Sequence, residues 1–133
     1  MKKIVLILLA AMMLVACGQE STVQQEDVYM NITAEQAKAL MDSETDYIIL
    51  DTRTQEEYDE GHIAGAIVLP YDEILEKAES MLTDKDQLIL VYCRSGRRSK
   101  LACEDLVTLG YTNIREFGGI IDWPYEVELK ASP

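Results

Sequence analysis

Basic residues are scarce in this chain. Its 133 residues include 12 Lys and Arg against 24 Asp and Glu, which gives a formal net charge of -12. Proteins that bind nucleic acids or anionic lipid surfaces present a basic face that displaces counterions. The acidic composition therefore argues against nucleic acids and anionic lipid headgroups as partners, and it identifies no protein partner.

Side chains that bind metal ions are also few. The only histidine is His62, and one histidine cannot form a metal site alone. The cysteines are Cys17, Cys93 and Cys103, and the ten-residue spacing of the last two, with no second ligand pair, does not match a zinc pattern. The chain also lacks a glycine-rich nucleotide loop. We therefore expect no metal site and no glycine-rich nucleotide site, although Cys93 and Cys103 could form a disulfide in an exported protein.

The chain has no apolar run long enough to span a membrane comfortably, because a spanning helix needs about 20 apolar residues. The longest run, Ile4–Ala16, follows Lys2 and Lys3 and ends at Cys17. A basic start followed by a short apolar segment is typical of a secretory signal. Residues 14–17, Leu-Val-Ala-Cys, resemble a bacterial lipoprotein signal, in which the cysteine carries the lipid. The alternatives are an ordinary cleaved signal and an uncleaved anchor.

This interpretation divides the chain into three parts. Residues 1–16 are the predicted signal peptide, residues 17–27 are a lipidated N-terminal cysteine with a polar, flexible tether, and residues 28–130 are the folded domain. A diacylglyceryl group with a further acyl chain, such as palmitate, holds a protein stably on a membrane. We therefore expect an exported protein that is anchored through its N-terminal lipid and faces the extracytoplasmic side.

The folded part alternates apolar runs with amphipathic segments. Strands are predicted at 28–32, 47–51, 66–70, 87–93 and 113–117, and helices at 33–41, 55–60, 71–82 and 98–110. Capping boxes, Thr33 with Gln36 and Thr54 with Glu57, mark the starts of the first two helices. Alternation of this kind favours parallel strands joined by right-handed crossovers. The fold class is therefore predicted to be α/β, with helices on both faces of the sheet.

Positive charge is concentrated directly after Cys93. Four of the 12 basic residues lie in the seven positions that follow it, and they are Arg94, Arg97, Arg98 and Lys100. Cys93 ends the strongest predicted strand, and functional sites of α/β proteins form at such carboxyl ends. A short glycine-containing loop followed by a helix start points backbone N–H groups at an anion. A cysteine at this position should have a lowered pKa and act as a thiolate nucleophile.

A simpler interpretation treats Cys93 as a buried core thiol and the arginines as a solvated helix start. Helix N-termini, however, favour acidic side chains over a cluster of arginines. The three arginines of this segment therefore destabilise the helix start unless they bind an anion. The pattern favours an anion-binding site that contains a nucleophile.

Three stretches, DTRTQEEYDEGHIAGAIVLP (51–70), VYCRSGRRS (91–99) and FGGIIDW (117–123), resemble the rhodanese domain in order and spacing. The resemblance extends over about residues 30–125. It implies a single rhodanese-like domain with a five-stranded parallel sheet, and a sulfane sulfur that is transferred through a persulfide on Cys93. Arg98 or Arg94 would hold the sulfonate end of thiosulfate. By position, the residues that would form the anion cradle are Arg94, Ser95, Gly96, Arg97, Arg98 and Ser99.

The resemblance implies thiosulfate as the sulfur donor and a thiol or cyanide as the acceptor, with no cofactor. It leaves open a persulfide carrier or a sulfur-responsive binding module that turns over thiosulfate slowly. Phosphatases with a catalytic cysteine, and the related arsenate reductases, are a third and less favoured alternative. Their arginine follows five intervening residues, where this chain has Ser99, whereas Arg98 follows four.

Other residues of the matched stretches are assigned structural roles. Asp51 and Arg53 are expected to form an ion pair that fixes loops near the site. His62 is expected to hydrogen-bond the backbone rather than act as a base. Cys103 is predicted to be a buried small hydrophobic residue, although it could also act as a resolving thiol for Cys93.

Overall fold

The computed structural model describes residues 29–130. The predicted signal peptide (1–16) and the predicted tether (17–27), with Cys17 as the expected lipid attachment site, lie outside these residues. Among the helices of the described part, none has the length and apolar character that a crossing of the membrane requires.

A parallel β-sheet forms the centre of the domain. The strands are β1 (Tyr29–Asn31), β2 (Tyr47–Asp51), β3 (His62–Ile63), β4 (Ile67–Val68), β5 (Leu88–Cys93), β6 (Ile114–Gly119) and β7 (Val127–Glu128), and the helices are α1 (Ala34–Ser43), α2 (Gln55–Glu60), α3 (Ile74–Met81) and α4 (Arg97–Thr108). Five of the strands form the parallel sheet, in the order β1-β6-β5-β2-β4. The predicted α/β class and five-stranded parallel sheet are confirmed.

Strand β5 lies in the middle of the sheet and is buried along its whole length. Because side chains alternate along a strand, Ile89 and Val91 pack in the layer that contains α3 and α4, whereas Leu88, Leu90 and Tyr92 pack in the layer that contains α1. Helices therefore cover both faces of the sheet. Burial on both faces explains why this strand reads as a continuous apolar run.

The starts of the first two helices follow the sequence closely. Thr33 and Gln36 form the capping box of α1, and Thr54 and Glu57 form that of α2, so both predictions are confirmed. Each box satisfies backbone N–H groups that have no partner within the helix. The box of α2 also fixes the direction in which the chain leaves β2, at the edge of the sheet where Cys93 lies.

Two predicted strands end two residues away from their observed ends, the helix predicted at 71–82 is α-helical only over Ile74–Met81, and one small sheet was not predicted. The strand predicted at 66–70 is confined to 67–68, where it pairs only with β2 at the sheet edge. The strand predicted at 113–117 extends to Gly119. Strands β3 and β7 form an antiparallel pair, and their two-residue length is too short to show a periodic pattern in the sequence.

Candidate active site

The loop after β5 places Cys93 against a backbone N–H group. The strand ends at Cys93, residues 94–96 turn, and α4 starts at Arg97. Gly96 is the N-cap of α4 and has a φ of 107°, a left-handed conformation that favours glycine. Its N–H donates to Cys93 Sγ at 3.0 Å. The thiol therefore lies at the N-terminal end of a helix, inside the loop that follows it.

Two glycines of β6 press against this loop. A Cβ on Gly119 would lie 1.9 Å from the Arg94 carbonyl oxygen, so no side chain fits there. A Cβ on Gly96 would lie 3.6 Å from Gly118 Cα. The ladder between β5 and β6 is irregular at this point and brings Cys93 opposite Gly119. Close backbone packing therefore supports the conformation of the cradle.

Hydrogen bonds favour the thiolate form of Cys93. The residue is 1% exposed, and burial by itself raises the pKa of a thiol. The nearby Ser99 hydroxyl and the N–H groups of Ser99, Gly96 and Ser95, of which the Gly96 N–H forms the 3.0 Å hydrogen bond, outweigh burial and hold the pKa of Cys93 below the ordinary value for cysteine. The predicted loop residues thus stabilise the anion through backbone N–H groups and one hydroxyl.

The guanidinium of Arg98 is bound by a carboxylate of the protein. Its Nη1 and Nη2 donate to the two carboxylate oxygens of Glu57 at 2.7 and 2.9 Å. A bidentate carboxylate uses the same planar donors that a sulfonate would use. Arg98 therefore lies beside the cradle, as its position in the sequence implies, but its charge is already neutralised.

This ion pair strongly favours the ionised form of Glu57. The hydrogen bond from Arg98 is the largest cause, burial opposes it, and the backbone N–H of Thr54 adds to it, so that the pKa of Glu57 falls to about 2. Glu57 also closes the capping box of α2. One carboxylate thus connects the start of α2 with the start of α4.

Arg94, the other arginine assigned to the sulfonate, faces an open cleft of about 450 Å³. Arg53, Glu57 and Glu60 also line the cleft, together with two apolar residues that follow β6. Within residues 29–130, neither Arg94 nor Arg97 forms an ion pair with a carboxylate. Arg94 is therefore the cation that this cleft offers to an anion without competition from a bound carboxylate.

Asp51 and Arg53 form a buried ion pair at the same edge of the sheet. Arg53 Nη2 donates to Asp51 Oδ2 at 2.7 Å and to the Gly61 carbonyl oxygen at 2.7 Å. The Tyr92 hydroxyl donates to Asp51 Oδ2 at 2.7 Å, and burial is the main reason why the pKa of Tyr92 is raised. The pair therefore fixes the chain on both sides of α2, next to the cleft.

The remaining predicted residues lie outside the cradle. His62 Nδ1 is 2.8 Å from the Tyr58 carbonyl oxygen, and the His62 ring stacks on the Tyr58 ring with 3.7 Å between centroids. Cys103 is fully buried, and burial is the main cause that raises its pKa. Cys93 and Cys103 are both free thiols. His62 thus contacts the backbone, and Cys103 packs in the core on the α4 side of the sheet.

Sequence reasoning missed one residue of the site, Glu116 in β6. Its side chain is buried, with 3% exposed, and its Oε1 accepts from Ser99 Oγ at 2.6 Å and from the Gly118 N–H at 2.9 Å. A signal was present, because alternation along the strand puts Glu116 on the same face as Ile114, which packs in the α4 layer. A charged residue at a core position indicates a polar partner nearby.

We expect acid stability to depend on Glu57. Its pKa is lowered from 4.5 to about 2, so its ionised form stabilises the fold above pH 4.5, and this contribution is lost as the pH falls to about 2. Glu57→Gln keeps a capping-box residue but removes the charge. Its free energy of unfolding should be about 1 kcal/mol lower than that of the wild type at pH 7, and the difference should vanish near the folded pKa.

Urea unfolding at a series of pH values measures this difference. The matched control is Glu76→Gln, which removes an exposed carboxylate of α3 that forms no ion pair within residues 29–130. The role assigned to Glu57 is wrong if both variants follow the same dependence on pH.

Comparison with known proteins agrees with this geometry. The family described as Rhodanese-like domain matches residues 33–124. Thiosulfate sulfurtransferase PspE of Escherichia coli is 38% identical over 73 residues, which cover 55% of this chain and 70% of that protein. Thiosulfate sulfurtransferase 18 of Arabidopsis thaliana is 38% identical over 112 residues, which cover 74% of this chain and 79% of that protein.

Among solved structures, a rhodanese with anions from Escherichia coli superposes with a TM-score of 0.59 at 34% identity. The match covers 62% of this chain and 98% of the other. The family model matches more than half of the chain, a thiosulfate sulfurtransferase matches it in sequence, and a solved rhodanese matches it in fold. The chain therefore belongs to the rhodanese-like sulfurtransferase family.

Proposed function

We propose that this protein is a sulfurtransferase that moves a sulfane sulfur from thiosulfate, or a related donor, to a thiophilic acceptor through a persulfide on Cys93. The observation that carries the proposal is the position of Cys93 Sγ, which accepts a hydrogen bond from the Gly96 N–H and has a lowered pKa. A thiolate held in this way is a competent nucleophile. The names of two relatives support thiosulfate as the donor.

In the first step the Cys93 thiolate attacks the outer sulfur of thiosulfate. A bond forms between Sγ and that sulfur, the sulfur–sulfur bond of thiosulfate breaks, and sulfite leaves with the electron pair. In the second step an acceptor thiolate or cyanide attacks the outer sulfur of the persulfide, and the Cys93 thiolate is the leaving group. Atoms and charge balance in both steps without a proton, an oxidant or a cofactor.

The loop backbone supports both anionic states of Cys93. The N–H groups of Ser95, Gly96 and Ser99 already favour the thiolate. Donors that are in place before the reaction stabilise developing charge without reorganisation. In the persulfide state the outer sulfur carries the charge, and we assign these N–H groups as its hydrogen-bond donors.

We assign Arg94 to the sulfonate end of the donor. It lines the open cleft and has no carboxylate partner among the described residues, whereas Arg98 is held by Glu57. A guanidinium binds an oxyanion through planar, charge-assisted hydrogen bonds. The sulfonate would therefore lie in the cleft, with the outer sulfur directed towards the loop that contains Cys93.

Phosphatase and arsenate-reductase activities are less well supported. The position at which those enzymes carry arginine is Ser99, which is buried and bonded to Glu116. The persulfide carrier shares the loading step with the proposed enzyme and differs from it only in slow release of the sulfur.

We also propose that the protein is exported and held on the extracytoplasmic side of a bacterial membrane by lipid on Cys17. The support is the sequence of residues 1–17. Bacteria that express the protein and are fed a palmitate analogue should label the wild type and Cys93→Ser, but not Cys17→Ser. Equal labelling of all three proteins would show that the lipid is attached to a residue other than Cys17.

Persulfide formation can be measured as a change in intact mass after incubation with thiosulfate. The wild type should gain the mass of one sulfur atom, because Cys93 retains the transferred sulfur. Cys93→Ser should gain nothing, and Cys103→Ala should load like the wild type, because Cys103 is buried in the core. Loading of Cys93→Ser would disprove the assignment of the nucleophile.

Thiocyanate formation then separates the enzyme from the carrier. With thiosulfate and cyanide in excess, an enzyme forms thiocyanate continuously, since each transfer regenerates the Cys93 thiolate. A carrier loads one sulfur and then turns over slowly. Loading without continuous thiocyanate formation would favour the carrier.

Arg94→Gln tests the assignment of the donor site. Loss of one charge-assisted hydrogen bond to the sulfonate should lower kcat/KM for thiosulfate roughly tenfold, mainly through KM. Arg97→Gln is the matched control, because it removes the same charge from the same segment but does not line the cleft. Equal losses in the two variants would indicate long-range attraction rather than binding by Arg94.

A further inference from the structure

Glu116 is a buried carboxylate that the proposed mechanism does not use. Its side chain is 3% exposed, and no Lys, Arg or His of residues 29–130 pairs with it. Its hydrogen bonds come from the Ser99 hydroxyl at 2.6 Å and the Gly118 N–H at 2.9 Å. The negative charge of Glu116 is therefore held by neutral donors, in a region from which water is largely excluded.

Glu116 and Cys93 compete for the proton of Ser99. The Ser99 hydroxyl lies close enough to Cys93 Sγ to favour the thiolate, but its shortest contact is with Glu116 Oε1, and the Gly96 carbonyl oxygen is a further acceptor at 3.0 Å. A hydroxyl has one proton to donate. The distance of 2.6 Å indicates that this proton goes mainly to the carboxylate, so the thiolate receives only part of the stabilisation that Ser99 could provide.

The other charged groups around Cys93, including Arg94 and Arg97 of the loop, form no ion pair with this carboxylate within residues 29–130. Arg98 of α4 is near the thiol but is bound to Glu57. Asp51 of β2 is neutralised by Arg53. Cys103 of α4 is kept in the thiol form by burial, and the charges of Glu116 and Cys93 add to that effect. Glu116 is therefore the uncompensated negative charge behind the cradle.

We propose that Glu116 and Ser99 are positioning residues that limit the acidity of Cys93. Glu116 does so by drawing the Ser99 proton away from Sγ and by placing a negative charge behind the cradle. The loop N–H groups lower the free energy of the anion, and Glu116 raises it. The balance leaves a thiol that ionises more readily than an ordinary cysteine, but less readily than the loop alone would allow.

The consequence for sulfur transfer rests on the proposed function of Cys93. The persulfide is an anion in the same cradle, so the charge of Glu116 raises its free energy as well. The Cys93 thiolate that leaves in the second step is an anion of the same cradle, so Glu116 raises its free energy too. A thiolate of higher pKa is a stronger nucleophile but a poorer leaving group, so Glu116 favours attack on the sulfur donor over departure of Cys93 from the persulfide.

The pH dependence of Cys93 alkylation by iodoacetamide tests the proposal in the full chain, with peptide mass spectrometry to resolve Cys93 from the other cysteines. Glu116→Gln should shift the profile to lower pH and raise the rate on its acidic side by roughly threefold or more. Glu116→Leu should shift it at least as far, because it also removes the acceptor of the Ser99 proton. Glu76→Gln, an exposed control on α3, should leave the profile unchanged.

Ser99→Ala tests the sharing of the proton. In the wild type this substitution should raise the midpoint of the profile only slightly, because the proton is mainly given to Glu116. In Glu116→Leu the carboxylate no longer competes with Sγ for the proton, and the remaining acceptors are the carbonyl oxygens of Gly96 at 3.0 Å and Gly118 at 3.5 Å. The same substitution should therefore raise the midpoint more in this background. Equal effects of Ser99→Ala in the two backgrounds would overturn the proposal.

The proposal would also be overturned if Glu116→Gln or Glu116→Leu had an alkylation midpoint at the same pH as the wild type or at a higher pH. Two neutral variants keep the test usable if one of them does not fold. Alkylation needs no sulfur donor, so its result can be interpreted even if the wild type fails to load sulfur from thiosulfate. Failure to load would count against the proposed function and not against the role of Glu116.

Discussion

The hydrogen bond from the Gly96 N–H to Cys93 Sγ is the interaction on which the site depends. It requires Gly96 to adopt a left-handed conformation, and it requires the loop to approach β6 so closely that Gly119 has no room for a side chain. Both requirements are met by backbone packing and not by a charged side chain. The acidity of Cys93 is therefore a property of the folded strand–loop–helix unit, and the unfolded chain does not have it.

Charged side chains around this unit are arranged asymmetrically. Two arginines next to it, Arg53 and Arg98, are bound by carboxylates of the protein and hold the ends of α2 and α4 in place. Arg94 faces the open cleft without such a partner among residues 29–130, and Glu116 lies buried on the other side. The potential is thus more positive where an anion enters and more negative behind the thiol. This gradient favours entry of an anion at the cleft and raises the free energy of an anion held at Cys93.

The sequence was sufficient wherever the signal is local. The capping box of Thr54 and Glu57 and the cysteine at the end of β5 are each visible within a few residues, and the strand–helix alternation predicts the parallel sheet. It was insufficient where a contact joins distant residues. Arg98 is 41 positions from Glu57, and Ser99 is 17 positions from Glu116. Such pairs depend on which strands and helices become neighbours, so the sequence placed Arg98 at the site without revealing that its charge is neutralised.

The acidic composition limits how a donor finds this site. A net charge of -12 repels an anion at long range, but at physiological ionic strength charges are screened beyond about 8 Å. Attraction by Arg94 therefore acts only once an anion is at the cleft, so the encounter is governed by local charge and by ionic strength. A molecule without net charge would not experience the long-range repulsion. The composition thus disfavours the proposed donor, thiosulfate, most at low salt, because screening of the repulsion is weakest there.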